Sequence, residues 1–174
     1  MAVSIFQRKR DFTYLAFFLV HLVVMLAFDL TPFYPSSIQS RWMTALRTWY
    51  ITTFADRFFY AAPPWFPVLS FLELTYHLPL TLWAIPALVR NDPRVPLALL
   101  VFGTETSLST LVCLAEMLSW EELTAVQRGV QGLAGMYGAY LGLGVFMMLD
   151  CYARLDQVIV RSYKGLEPVS KKKL

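Results

Sequence analysis

The sequence predicts an all-α membrane protein, a four-transmembrane-helix bundle with the N- and C-termini cytosolic. Three observations predict it: a deficit of charge, four long apolar runs, and an uneven distribution of basic residues. Of 174 residues, 57% are apolar and 16% charged, and mean hydropathy is +0.51. A water-soluble domain carries about a quarter charged residues, so the solvent for most of this chain is lipid. Net charge is only +3, which leaves no support for nucleic acid as a partner.

The apolar runs cover about residues 12–30, 65–89, 95–118 and 130–152. Each approaches or exceeds the roughly 20 residues that cross a bilayer. None alternates as a barrel strand does, so helices must satisfy their backbone hydrogen bonds. The first run follows basic residues but ends at Asp29-Leu30-Thr31-Pro32 with no small-residue cleavage site, and reads as a retained span. Eleven basic residues lie at the N-terminus, between runs two and three, and in the tail; Arg41, Arg47, Arg57 and Arg128 lie on the other side. The richer side is expected to be cytosolic. Residues 1–160 then form one domain and 161–174 a cytosolic tail. Lys171 and Lys172, fourth and third from the end, read as a dilysine signal for retrieval to the endoplasmic reticulum.

Residues 31–64 make the longest connection and hold nine aromatic residues, among them Trp49, Tyr50 and Phe54. So aromatic a segment is expected to fold back as a short interfacial helix and lid. The fourth run and its approach carry six of the eight glycines, with Gly138 and Gly142 in GxxxG spacing. Packing inside the bundle is the first reading, a homodimer seam the second. Cys113 and Cys151 lie in apolar runs and read as packed free thiols, with no zinc-type spacing, no metal and no cofactor implied.

Acids within the membrane carry the chemistry. Asp29, Glu73, Glu105, Glu116 and Asp150 fall within the runs or at their ends, where no Lys or Arg falls. An intramembrane carboxylate costs at least a few kcal/mol unless paired or protonated. Asp150 and Glu116, near run ends, read as solvated interfacial acids. Asp29 closes run one and Glu73 lies about two turns into run two, which places both toward the lid. In one dry cavity, repulsion between them would leave a proton on one, and the pair would hold a single positive charge: a buried amine or a reaction carbocation. The alternative is that each makes local hydrogen bonds within the bundle. Glu73 and His77 share a helix face, with Pro79 and Pro86 following to kink or open the helix. His77 is a proton carrier or a satisfied polar residue at the kink. His21, eight residues before Asp29, lies on roughly the same face. Glu105 sits in a hydroxyl-rich patch of run three. Tyr137 and Tyr140 share a face of run four and offer an aromatic wall attractive to cations.

Four segments carry a family resemblance over roughly residues 13–152. They are Phe-Phe-Leu-Val-His-Leu leading to Phe28-Asp29-Leu30; Trp49-Tyr50 with Phe54 and Asp56; Pro63-Pro64-Trp65-Phe66 followed by Glu73-Leu74 and Leu78-Pro79; and Tyr137-x-x-Tyr140. The chain resembles the EXPERA family of four-span sterol-related proteins, and most of all its sigma-2 receptor branch. The resemblance implies a pocket for sterols, oxysterols or cationic amphiphilic amines, in sterol homeostasis or trafficking. Asp29 would meet the amine, Glu73 would be its neighbouring acid, Asp56 a buried structural acid of the lid, and Thr110, Tyr137 and Tyr140 pocket-wall residues. The emopamil-binding sister branch contains sterol isomerases. Catalysis here would use His77, Glu73 and Glu105, although Glu73 precedes His77 where that branch has His before Glu. A third reading is an interaction factor with a membrane-protein client.

Overall fold

The computed structural model describes residues 4–166, which leaves the lysine pair at 171 and 172 outside the described residues. Four helices are long and apolar enough to cross a membrane: Lys9–Asp29, Phe66–Arg90, Val95–Leu118 and one within Ala125–Lys164. The protein is all-helical, with no strand among the described residues. The first span is α1 (Lys9–Val24) ending in a π-turn, Met25–Asp29. The lid folds as α2 (Arg41–Phe54). The second span is α3 (Phe66–Leu72), a π-turn at Glu73–His77, and α4 (Leu78–Arg90). The third is α5 (Val95–Leu118), and a one-turn α6 (Ala125–Arg128) precedes the fourth, α7 (Leu133–Leu166).

Proline marks the joints. Pro67, Pro79 and Pro96 fall in the first turns of α3, α4 and α5, where a missing N–H goes unmissed. Pro79 also follows the π-turn of span two, in which the Leu78 N–H bonds to the Glu73 carbonyl, five residues back. The opening expected near the prolines thus lies one turn earlier, as a widened turn. Two non-glycine residues end helices with positive φ: Asn91 after α4 (φ 57°) and Ala55 after α2 (φ 54°). Asn accepts this left-handed conformation; Ala does so at a cost of roughly 1 kcal/mol. The turn at Ala55 aims the next residue, Asp56, into the protein.

The apolar interior has two centres. One, toward the end that carries both termini, is built from Tyr14, Phe18, Leu88, Leu99, Phe102 and Met147. The other, under the lid, is built from Phe58, Cys113, Met117, Trp120 and Leu133. Helices α5 and α7 make the most extensive pairing, and glycine permits it. A Cβ on Gly103 would lie 2.8 Å from the Gly144 carbonyl oxygen, and one on Gly144 2.9 Å from Ser107 Oγ. The GxxxG pair behaves differently from the first reading: beside Gly138 and Gly142 nothing lies within 4 Å. These two are on the outer face of α7 and do not pack the bundle.

Asp150 also departs from expectation. It is 8% exposed, not solvated. Tyr14 donates to Asp150 Oδ2 at 2.8 Å, Arg154 approaches the same oxygen at 2.8 Å, and Arg10 bonds Oδ1. Arg154 and Arg8 each donate to Asp11 at 2.6 Å. Arg8 continues to the Leu88 carbonyl at 2.7 Å, one of the last carbonyls of α4, which also accepts the Asn91 N–H at 3.2 Å. This network ties spans one, two and four together.

Candidate functional site

Between the two apolar centres lies a cavity of about 480 Å³ to which all four spans and the lid contribute. That volume falls within the range of small-molecule sites, about 300–1,000 Å³. Span one supplies His21, Phe28 and Asp29. The lid supplies Leu46, Trp49, Tyr50 and Phe59. Span two supplies Phe66, Leu69, Ser70, Glu73 and His77; span three Glu105, Ser109, Thr110 and Cys113; span four Met136, Tyr137 and Tyr140.

Asp29 and Glu73 therefore face one cavity. Each sits on a π-turn, Asp29 as its last residue and Glu73 as its first. π-turns in helices are frequent at functional sites, where the extra residue swings a side chain off the regular helical face. Among the described residues neither carboxylate has a hydrogen-bond partner; Glu73 lies in the field of Asp29 and Glu105, and Asp29 in that of Arg47 and Asp56. Deeper in, His77 Nε2 and Glu105 Oε2 stand 2.5 Å apart. The Tyr140 hydroxyl and His21 Nδ1 are hydrogen-bonded at 3.2 Å, and the rings of His21 and His77 meet edge to face at 5.7 Å. His21 Nε2 and His77 Nδ1 are buried without a partner among the described residues.

Asp56 has a different role. It is fully buried and accepts from Tyr137 at 2.8 Å, Tyr50 at 2.9 Å and the Phe58 N–H at 3.1 Å. Burial pushes its carboxyl up, against the three hydrogen bonds that favour the charged form. The same carboxylate, together with burial, pushes the Tyr50 phenol up, so it stays a donor. Asp56 thereby fastens two wall residues, Tyr50 and Tyr137, and pins the lid to span four. Phe54 does not line the cavity. Its ring packs behind Tyr50 at 5.1 Å and against Trp49 at 5.9 Å, so it supports the wall instead of forming it. Thr110 lies on the wall.

Sequence reasoning missed Arg47. Its guanidinium lies over the rings of Phe59 and Phe28, 5.1 and 5.7 Å from their centres, and its charge acts on Asp29. The search for a basic partner covered the spans, and this one arrives from the lid. The available signal was that Arg47 and Tyr50 stand three apart on a helix already expected to fold back. No group of three His, Cys, Asp or Glu side chains among the described residues could hold a metal ion.

Four helices long and apolar enough to cross a membrane, around a cavity with acids and aromatic walls, define a multi-pass helical membrane protein with a hollow inside the bundle. The chain belongs to the EXPERA family (EXPanded EBP superfamily), whose model matches residues 42–151. It is also similar to Efficient mitochondria targeting-associated protein 19 of Schizosaccharomyces pombe, at 26% identity over 149 residues, 83% of this chain and 76% of the relative.

Proposed function

We propose that this protein binds a sterol-like lipid or cationic amphiphile in the intramembrane cavity, without chemistry on it, and serves sterol or lipid homeostasis in the endoplasmic reticulum membrane as a sigma-2-like member of its family. One observation carries the reading: Asp29 and Glu73 face a single cavity of about 480 Å³ and have no hydrogen-bond partner among the described residues. A membrane-buried carboxylate without a partner is costly, and a ligand's polar group is the partner that offsets the cost. The apolar walls suit a rigid hydrocarbon body, and Tyr50, Tyr137, Tyr140 and Thr110 are wall positions that orient it. The test is binding of a fluorescent sterol, and of an amine-bearing amphiphile, to purified protein and to Asp29→Asn and Glu73→Gln. About tenfold weaker binding of either probe is expected, the scale of a hydrogen bond to a charged group. Undiminished binding of both probes in both variants refutes the reading.

The His77–Glu105 contact at 2.5 Å beside the cavity supports a second reading, a sterol or terpenoid double-bond isomerase. His77 and Glu105 would then move a proton and Glu73 would face the carbocation. Incubation with candidate sterols in deuterated water decides: deuterium incorporation that disappears in His77→Ala favours catalysis. The name of the fission-yeast relative supports a third, a factor in organelle protein targeting. Crosslinking that recovers a client regardless of cavity substitutions would favour it.

A further inference from the structure

The acids of the cavity are less available to a cation than their number suggests. Glu105 is engaged by His77 at 2.5 Å. Asp29 has a basic neighbour in Arg47, brought in by α2. The guanidinium is held over the faces of Phe59 and Phe28, and both rings line the cavity. Its Nη2 donates to the Phe59 carbonyl at 3.3 Å. Its Nη1 is buried without an acceptor among the described residues. Arg47 also lines a smaller cavity of about 250 Å³ with Thr31, Gln39, Met43 and Thr44. Arg47 thus stands behind two wall residues of the main cavity, and its charge acts on Asp29.

We propose that Arg47 is a resident counter-cation that sets the charge of the ligand, making the cavity take a neutral, hydroxyl-bearing lipid in preference to a cationic amphiphile. This rests on the ligand-binding reading above and decides between its two ligand classes. An ammonium placed against Asp29 would share that acid's field with the guanidinium behind the aromatic wall. Like charges repel strongly in a medium of low dielectric constant. A hydroxyl bears no such cost: it donates to one carboxylate and accepts from Glu73 where that acid keeps its proton. Burial pushes the Arg47 guanidinium down from its ordinary value while Asp29 holds it up, and an arginine remains charged under both influences.

The test uses the full chain in lipid nanodiscs and a matched pair of probes, a steroid with a 3-hydroxyl group and the same steroid with a 3-amino group. The wild-type protein is expected to bind the hydroxyl steroid at least as tightly as the amine. Arg47→Leu is expected to gain about tenfold in amine affinity, with hydroxyl affinity changed less than threefold; Arg47→Lys keeps the wild-type preference. An unchanged amine-to-hydroxyl ratio in Arg47→Leu, or a wild-type preference of tenfold for the amine, overturns the proposal while leaving ligand binding intact. Should Arg47→Leu fail to fold, Arg47→Gln and the wild-type ratio decide. If neither steroid responds to Asp29→Asn or Glu73→Gln, the ligand-binding reading fails, and this proposal with it.

Discussion

Two sets of buried acids occupy the two ends of the same bundle, and they are treated oppositely. At the end that carries both termini, Asp11 and Asp150 are enclosed by Arg8, Arg10, Arg154 and the Tyr14 hydroxyl. Toward the lid, Asp29 and Glu73 face a cavity with no hydrogen-bond partner among the described residues. Span sequences with similar hydropathy thus hold carboxylates in two ways. Where arginines from neighbouring helices close around an acid, the acid fastens the helices together. Toward the lid no arginine bonds the acids: Arg47 acts on Asp29 only through its field, and both carboxylates are left for something from outside. Asp56 belongs with the first set, although tyrosines replace the arginines.

The contrast can be broken from the paired side first. Asp150→Ala removes the acceptor of the buried Tyr14 hydroxyl and of Arg10 and leaves Arg154 with Asp11 alone, and losing one side of such a buried pair should cost about 3 kcal/mol, read as a lowered melting temperature in detergent. Asp56→Ala removes three acceptor contacts and should cost about 2 kcal/mol, with loss of ligand protection against melting as Tyr50 and Tyr137 come loose. Because burial raises the Asp56 carboxyl, the folded protein holds that proton more tightly than the unfolded chain. The contribution of this group to stability is therefore greatest at low pH and falls as pH rises from the ordinary Asp range through the folded value. Asp56→Asn should flatten that part of the profile. On the unpaired side the sign reverses: Asp29→Asn and Glu73→Gln should leave stability unchanged or raise it by up to about 1 kcal/mol while ligand binding falls, the trade expected of a functional site. The smallest effect is expected at Ala55, where Ala55→Gly relieves the left-handed turn and should gain about 0.5 kcal/mol.

Most of the architecture was legible because lipid makes hydropathy decisive. The spans expected at 65–89 and 95–118 fall within a residue of Phe66–Arg90 and Val95–Leu118, and the aromatic lid contains its expected helix. The fourth helix was legible only in part. It continues to Leu166, well past the expected 152, because Arg154, Asp156 and Arg161 end the apolar run without ending the helix. The burial of Asp150 was not legible, since Arg10 comes from 140 residues away in the chain. Arg47 was missed because it reaches Asp29 from the lid and not from a span. Gly103, outside the glycine-rich span, makes the close approach that attention to Gly138 and Gly142 assigned elsewhere. What sequence gave poorly throughout is partnership across helices, which spacing along one helix does not encode.

The two widened turns leave the site open to loss by the smallest change of length. A π-turn contains one residue more than an α-turn, so deleting a single residue between Met25 and Asp29 would let the segment rewind. The flanking turns would keep their phase, and the carboxylate, no longer swung out by the extra residue, would leave the cavity wall. The shortened helix would still be long and apolar enough to cross a membrane. A descendant chain could therefore keep its shape, its hydropathy profile and both acids, and yet have them point in different directions.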